Sequence, residues 1–248
     1  MNTEPIQNVP YRVIADCFKD HSIALFLGSA ASFFGAPTDM ALPSGMALAK
    51  LLVERSEYPG SLSDPLTKVA QYLEEVPADR EYILSTVAAR FCESINPEYQ
   101  SALTRFLAVV PSAMIPKLII TTNYDTLVEG VLEKRKIPYL VVSHILKGSR
   151  YAGRLLSYSS LQNPLDTSNI QTRQQVENYL LEMSDQGIDP ILIYKMNGTA
   201  WLRTGKTMLD SVVLTENDYI DFLAQDILSR IPDTILGLLR ASRLLFLG

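Results

Sequence analysis

The sequence predicts an α/β domain, with a mostly parallel sheet of about six strands and helices on both faces. Three observations carry this. Ser22 to Leu27, Lys117 to Thr121 and Pro190 to Lys195 each hold a short apolar run, the kind of strand buried on both faces of a parallel sheet. Segments of helical period separate these runs. From Asp64 to Val110 the helical pattern continues with no strand, which predicts a helical insertion between the first two strands.

In chain order, Tyr11 to Asp20 reads as a helix with Val13, Ile14 and Cys17 on one face. The Ser22–Leu27 strand leads into a small-residue loop, Gly28 to Ser32, and then into Phe33 to Pro43. Ser44 opens a helix through Leu51 and Leu52. Inside the insertion, breaks fall at Pro77 and Pro97, because proline lacks the N–H a helix interior needs. After the Lys117–Thr121 strand, Asp125 suits the cap of a helix running to Lys136. Pro138 to Val142 is a strand, and polar Lys147 to Pro164 reads as a loop. Thr172 to Met183 is helical, Pro190 to Lys195 is a strand, and Met196 to Thr199 turns out of it. Ser211 to Leu214 reads as a strand. Thr215 and Asp218 fit a capping box that opens a helix from Tyr219 to Ser229. A last helix, Asp233 to Ala241, precedes a terminal strand from Arg243 to Gly248.

The 248 residues are 47% hydrophobic and 20% charged, which excludes disordered and fibrous classes. Such a chain folds without a disulfide or a metal. A net charge of −5 argues against a dedicated nucleic-acid binder. Cys17 and Cys92 are the only cysteines and lie in apolar helical patterns, so they read as reduced core thiols. They cannot form a four-cysteine zinc site. No apolar run approaches the roughly 20 residues of a membrane span, and the N-terminus has no signal peptide. The expectation is a cytoplasmic protein with no membrane contact. A strand that stops at Gly248, where its next loop should begin, predicts that the natural chain continues.

In open parallel sheets, ligands bind outside the carboxyl ends of the strands. Gly28 and Ser29, Thr122 to Asp125, Ser143 and His144, Asn197 to Thr199, Thr215 and Gly248 fall there. The small residues of Gly28 to Ser32 suit close approach of a pyrophosphate, or simply make a tight strand–helix turn. They lack the second and third glycines of G-x-G-x-x-G. Thr121-Thr-Asn-Tyr-Asp125 is the stronger signal. An amide there can orient a ribose hydroxyl or a water, and a carboxylate can hold a hydroxyl or act as a base. The alternative is a capped helix, with Asp125 as cap and Asn123 as turn residue. Of the two histidines, His21 ends a helix and reads as structural or exposed, while His144 on the rim is a loop residue or a spare base. Tyr194 and Trp201 flank Asn197, either to stack on a base or to pack in the core.

Taken in order, these segments resemble the sirtuin (SIR2-like) family in its bacterial branch, from Ser22 to Gly248. Leu25 to Ser32 resembles the family's G-A-G-x-S segment, and Leu42-Pro-Ser-Gly45 the segment after it. Ile120 to Asp125 resembles T-x-N-x-D, Tyr194 to Thr199 resembles K-L-H-G-S, and Leu214 to Tyr219 resembles T-E-x-D-Y. Leu244 to Gly248 resembles the strand before the last cofactor-binding loop. The resemblance implies one Rossmann-like domain over residues 1–248 that takes NAD as substrate and breaks its nicotinamide–ribose bond. It implies Gly28, Ser29, Ala30 and Ser32 on the pyrophosphate and adenosine side, with Thr122, Gly198 and Gly248 also at the cofactor. It implies Asn123 and Asp125 at the nicotinamide ribose. The family's catalytic His falls on Asn197, which counts Asn197 among the catalytic positions although an amide accepts no proton near neutral pH.

The missing cysteines turn the resemblance away from zinc-bearing deacetylases and toward the zinc-free group that hydrolyses NAD in phage defence. The expected activity is therefore NAD glycohydrolase, needing no metal. It would be restrained by homo-oligomerisation, a partner, or an attached effector or sensor domain, with no direct nucleic-acid contact. A second reading is an NAD- or ADP-ribose-binding regulatory module with an impaired site. A third, a dehydrogenase, lacks both G-x-G-x-x-G and a hydride-transfer partner.

Overall fold

In the computed structural model, residues 9–37, 42–54, 56–76, 80–93, 98–145, 151–162, 165–200, 211–224 and 229–248 are described. Helix α1 (Tyr11–Lys19) leads through His21, at φ 53°, into β1 (Ile23–Leu27) and directly on to α2 (Ser29–Phe33). Helix α3 (Gly45–Glu54) follows, and the insertion then holds α4 (Leu66–Glu75), α5 (Arg80–Ala88) with a π turn at Ala89–Glu93, and α6 (Ala102–Val109). Next come β2 (Leu118–Thr121), α7 (Leu127–Lys134), β3 (Tyr139–His144), β4 (Leu155–Tyr158) and β5 (Ile170–Gln171). The chain ends with α8 (Arg173–Asp185), β6 (Ile191–Lys195), α9 (Glu216–Ala224), α10 (Asp233–Ala241) and β7 (Arg243–Leu247).

The seven strands form one sheet in the order β5-β4-β3-β6-β2-β1-β7. The run from β3 to β7 is parallel, while β4 and β5 add antiparallel at one edge. The architecture is the Rossmann-like α/β fold the sequence predicts. Along the parallel strands, alternate side chains go to opposite faces. Ile119, Val141 and Ile193 pack with Leu107 and Leu132 of α6 and α7. Leu118, Ile120, Leu140, Val142 and Leu192 pack with Val176, Ile235 and Leu236 of α8 and α10. Helices α3, α4 and α5 share a separate core around Leu48, Leu52, Val69, Leu73, Ile83 and Val87, which also takes in Leu127 and Val212. Register levels the strand ends. Leu27 pairs with both Thr121 and Leu247, and Thr121 pairs with Lys195. The residues that follow these strands therefore emerge together.

Five expectations need correction. Gly28 to Ser32 is not a loop; Ser29 to Phe33 is a short helix. The polar stretch after Lys147 contains β4, whose four residues are all buried. A strand that pairs antiparallel needs no crossover helix, so the pattern of strands alternating with helices does not announce it. Ser211 to Leu214 is no strand. It is buried beside the insertion, and its backbone bonds go to a turn and to side chains rather than to a neighbouring strand: the Val213 N–H donates to the Asn197 carbonyl at 3.0 Å, and Arg80 Nη2 donates to the Val212 carbonyl at 2.6 Å. Strand β3 continues through His144, past the expected end at Val142. Helix α7 begins at Leu127, whose N–H donates to Asp125 Oδ1 at 3.0 Å, so Asp125 caps from two residues upstream. Pro77, Pro97 and Trp201 lie outside the described residues.

The box at Thr215 and Asp218 forms in both directions, with each backbone N–H donating to the other's side chain. Cys17 and Cys92 are free thiols, and burial pushes the Cys92 thiol up to about 12. Among the described residues, no helix is long and apolar enough to cross a membrane.

Candidate functional site

The site begins where β1 ends. The Gly28 N–H donates to the Leu247 carbonyl at 2.8 Å, holding the ends of β1 and β7 together. A Cβ at Gly28 would stand 2.9 Å from the Gly248 carbonyl oxygen, so this close backbone approach requires glycine. On the neighbouring strand end, the Thr122 N–H donates to the Leu27 carbonyl at 3.1 Å and the Asn123 N–H to Thr121 Oγ1 at 3.0 Å. These bonds fix the turn after β2.

That turn aims the Asn123 side chain across to β1. Asn123 Nδ2 donates to the Gly28 carbonyl at 2.9 Å and to Ser32 Oγ at 2.7 Å. Ser32 Oγ in turn donates to Asp125 Oδ2 at 2.6 Å. The direction of each bond is forced. The Gly28 carbonyl and the Asp125 carboxylate can only accept, so the hydroxyl must give its proton to Asp125 and take one from the amide. The other Asp125 oxygen already holds the Leu127 N–H. Asn123 Oδ1 is then left over, buried and with no hydrogen-bond partner among the described residues. A buried acceptor without a partner is costly unless something else supplies the proton. The donor missing from this site is one that a sugar hydroxyl could provide.

Ser29, Ser32, Thr122, Asn123, Asp125 and Asn197 line one cavity of about 190 Å³, roofed by Leu48 of α3 and Phe91 of the insertion. Asn197 enters from the end of β6. Its Nδ2 donates to the Tyr219 hydroxyl at 3.2 Å, and burial raises that phenol's pKa. Among the described lining residues, Asp125 is the one carboxylate and there is no imidazole. Ala30 and Gly248 fall elsewhere. They line a larger cavity, about 460 Å³, on the far side of α2 with Phe34, Ala102 and Phe106. Gly198 lines neither cavity. Its φ is +85°, and a Cβ there would lie 1.8 Å from the Ser211 carbonyl oxygen, so it shapes the turn after β6.

His144 is not a spare base for this cavity. As the last residue of β3 it points to the α8 and α10 face, where Nε2 meets the Tyr194 hydroxyl at 2.8 Å and the ring stands edge-on to Phe222. Burial, with a smaller effect from Arg230, pushes its pKa down to about 4, so the ring is neutral at physiological pH. Tyr194, on that same face, packs in the core.

Sequence reasoning missed the layer beneath the cavity. Lys195 and Glu129, each 1% exposed, form an ion pair at 2.8 Å. Lys195 Nζ also donates to the Asp125 carbonyl. The Tyr158 hydroxyl donates to Glu129 Oε1 at 3.0 Å and meets Thr199 Oγ1 at 3.1 Å. The available signal was a lysine closing a strand of otherwise apolar and aromatic residues. Among the described residues, no group of three His, Cys, Asp or Glu side chains could hold a metal ion.

A family model described as a SIR2-like domain matches residues 117–248, more than half of the chain. The match contains Asn123, Asp125, Lys195 and Asn197, while Gly28 to Ser32 lies outside it and joins the site through the β1–β2 pairing. No curated protein matches the chain.

Proposed function

The chain belongs to the SIR2-like family, NAD-dependent enzymes that use NAD as substrate, and from that premise we propose that it hydrolyses NAD to nicotinamide and ADP-ribose. The observation that carries this reading is the Asn123 amide. It lines the polar cavity with both N–H groups engaged and its oxygen unpartnered. Breaking an N-glycosidic bond builds positive charge on the ribose. Asn123 Oδ1 would accept from a ribose hydroxyl and turn its carbonyl dipole toward that charge, an interaction that strengthens as the bond breaks. Ser32 and Asp125 keep the amide from rotating. Ser29 and Thr122 line the route toward the pyrophosphate, and Ala30 and Gly248 lie beyond α2 on the adenosine side. The Asp125 oxygens hold Ser32 and Leu127, so Asp125 positions rather than abstracts a proton. Asn197 hydrogen-bonds a hydroxyl or the attacking water without ionising. Water attack on a ribose already bearing positive charge needs little help from a base.

One observation favours a second reading, an NAD- or ADP-ribose-binding module. Asn197 stands in the cavity where the family's motif carries histidine, and its amide is tied to Tyr219. Nicotinamide release by the purified protein, with Asn197→His beside it, separates the two. The hydrolase releases nicotinamide, and Asn197→His preserves or raises the rate. A wild type that binds NAD without release, while Asn197→His turns it over, selects the module.

The family resemblance also suggests a setting: a cytoplasmic effector in bacterial phage defence, restrained by an oligomer, a partner or an attached sensor. Cellular NAD should then fall upon infection in cells carrying the wild type and stay level with an Asn123→Ala protein.

A further inference from the structure

We infer that the buried Lys195–Glu129 pair is a positioning device for the Asn123 amide, acting through the backbone of Asp125 and touching no ligand itself. The inference rests on the NAD reading for its kinetic arm only.

The pair needs an account. Withdrawing two ions from water carries a desolvation penalty, and exchanging a buried pair for well-packed apolar residues is often neutral or stabilising. Stability alone is therefore a poor reason for a lysine and a glutamate that are each 1% exposed. What the pair does is spatial. Lys195 Nζ has three protons and three acceptors: the Asp125 carbonyl, Glu129 Oε1 at 2.8 Å and Thr199 Oγ1 at 3.5 Å. Tyr158 closes the network onto Glu129 and Thr199. The Asp125 backbone is thereby fastened to β6 and α7, and Tyr158 of β4 braces the pair from outside.

The side chain of Asp125 passes this placement on. Its Oδ2 takes the Ser32 hydroxyl at 2.6 Å, which leaves Ser32 Oγ to take Asn123 Nδ2 at 2.7 Å. Asp125, acting with the Gly28 carbonyl, thus fixes which way round the amide sits. With the amide reversed, Oδ1 would face the Gly28 carbonyl, acceptor against acceptor, and N–H groups would occupy the place where a ribose hydroxyl should donate. Lys195 and Glu129 are absent from the cavity lining, so their influence is through geometry.

The test uses the full chain and two readouts. The first is the side-chain amide NMR signal of Asn123, assigned by its disappearance in Asn123→Ala. The second is nicotinamide release. The variants are Lys195→Met combined with Glu129→Gln, which removes both charges together, and Tyr158→Phe, which removes one hydroxyl and leaves the pair in place. In the paired variant the Asn123 amide signal shifts and exchanges faster with solvent. There kcat falls, by up to about 100-fold, with KM changing less than about threefold. Adding Asn123→Ala to that protein costs little more, since both changes act on one interaction. Tyr158→Phe lowers the melting temperature and leaves the Asn123 signal where it was.

An unmoved amide signal in a folded paired variant overturns the inference. So does full additivity with Asn123→Ala, or an equal shift in Tyr158→Phe. Should the paired variant not fold, Glu129→Gln alone is read the same way and gives the same shift at smaller amplitude. A wild type that neither binds nor cleaves NAD defeats the functional reading, and the amide signal then decides the positioning inference by itself.

Discussion

Two cavities share α2 as a wall and differ in the hydrogen-bonding groups turned into them. Ser29, Ser32 and Phe33 face the smaller one, about 190 Å³, while Ala30, Ala31 and Phe34 face the larger, about 460 Å³. One turn of helix achieves the division, because residues three apart share a face and the sequence runs Ser-Ala-Ala-Ser. On the polar side every bond has a direction, and the directions end in an unpartnered oxygen at Asn123. On the other side nearly all of the lining is apolar, from Phe34 and Phe106 to Leu247. The smaller cavity can distinguish a transition state from a ground state, because its dipoles are oriented. The larger can favour a ligand by its shape and by removing it from water. In the hydrolase reading, rate should therefore live on one side of α2 and affinity on the other.

The largest expected effect breaks the polar side alone. Asn123→Ala removes the unpartnered acceptor and should lower kcat by about 10²–10³-fold, roughly 3–4 kcal/mol of transition-state stabilisation. Folding should be almost untouched, since the amide sits at the cavity and not in the hydrophobic core. Nicotinamide release and thermal unfolding, measured together, check both halves. If Asn123 were only a turn residue, stability would drop modestly and turnover per folded molecule would stay at wild-type level.

A smaller effect is expected one residue back in the chain of bonds. Ser32→Ala takes the hydroxyl from Asp125 Oδ2, a group on a residue 5% exposed. A buried acceptor stripped of its donor costs about 1–3 kcal/mol, which a shift in the urea midpoint at unchanged slope would register. Asn123 keeps its bond to the Gly28 carbonyl, so turnover should fall less than in Asn123→Ala. A loss of turnover equal to that of Asn123→Ala, with no change in stability, would instead make Ser32 the group that meets the substrate.

The same contrast explains what could be read from the sequence. Apolar strands followed at once by polar residues are a local pattern, and that pattern alone places Asn123, Asp125 and Asn197 on one rim. Burial was legible as well, but its cause was not. Val212 and Val213 look like a strand because they are apolar and β-branched, yet Val212 packs into the core around α3 to α5 and the Val213 N–H bonds to the Asn197 carbonyl, not to a ladder. β4 was hidden because its short run, Leu-Leu-Ser-Tyr, lies among polar residues and pairs antiparallel. His144 turned on the alternation rule. Two more residues of β3 decide which face it takes, and strand ends are the least legible feature of a sequence. The Lys195–Glu129 pair was beyond reach for another reason. It depends on a helix and a strand distant in sequence meeting under the rim, which no local pattern records.

The smallest expected effect tests the apolar side. Ala102 opens α6 and lines the larger cavity opposite α2. Its N–H donates to the Phe34 carbonyl at 2.8 Å, a backbone bond that a side-chain change leaves in place. Leucine is nearly as good a helix former as alanine, so Ala102→Leu should fold while its isobutyl group narrows the cavity. If the adenosine half of NAD binds there, KM should rise about tenfold, equivalent to roughly 1.4 kcal/mol of lost binding. The kcat value should hold, because Asn123, Ser32 and Asp125 are untouched. ADP-ribose should weaken by the same factor in a direct binding measurement, since it shares the adenosine half. Free nicotinamide, which lacks that half, should inhibit as it does the wild type. A drop in kcat with constant KM would mean that the two sides of α2 are not separable. An unchanged KM would take the larger cavity out of the binding path and leave Ala30 and Gly248 without a role at the substrate.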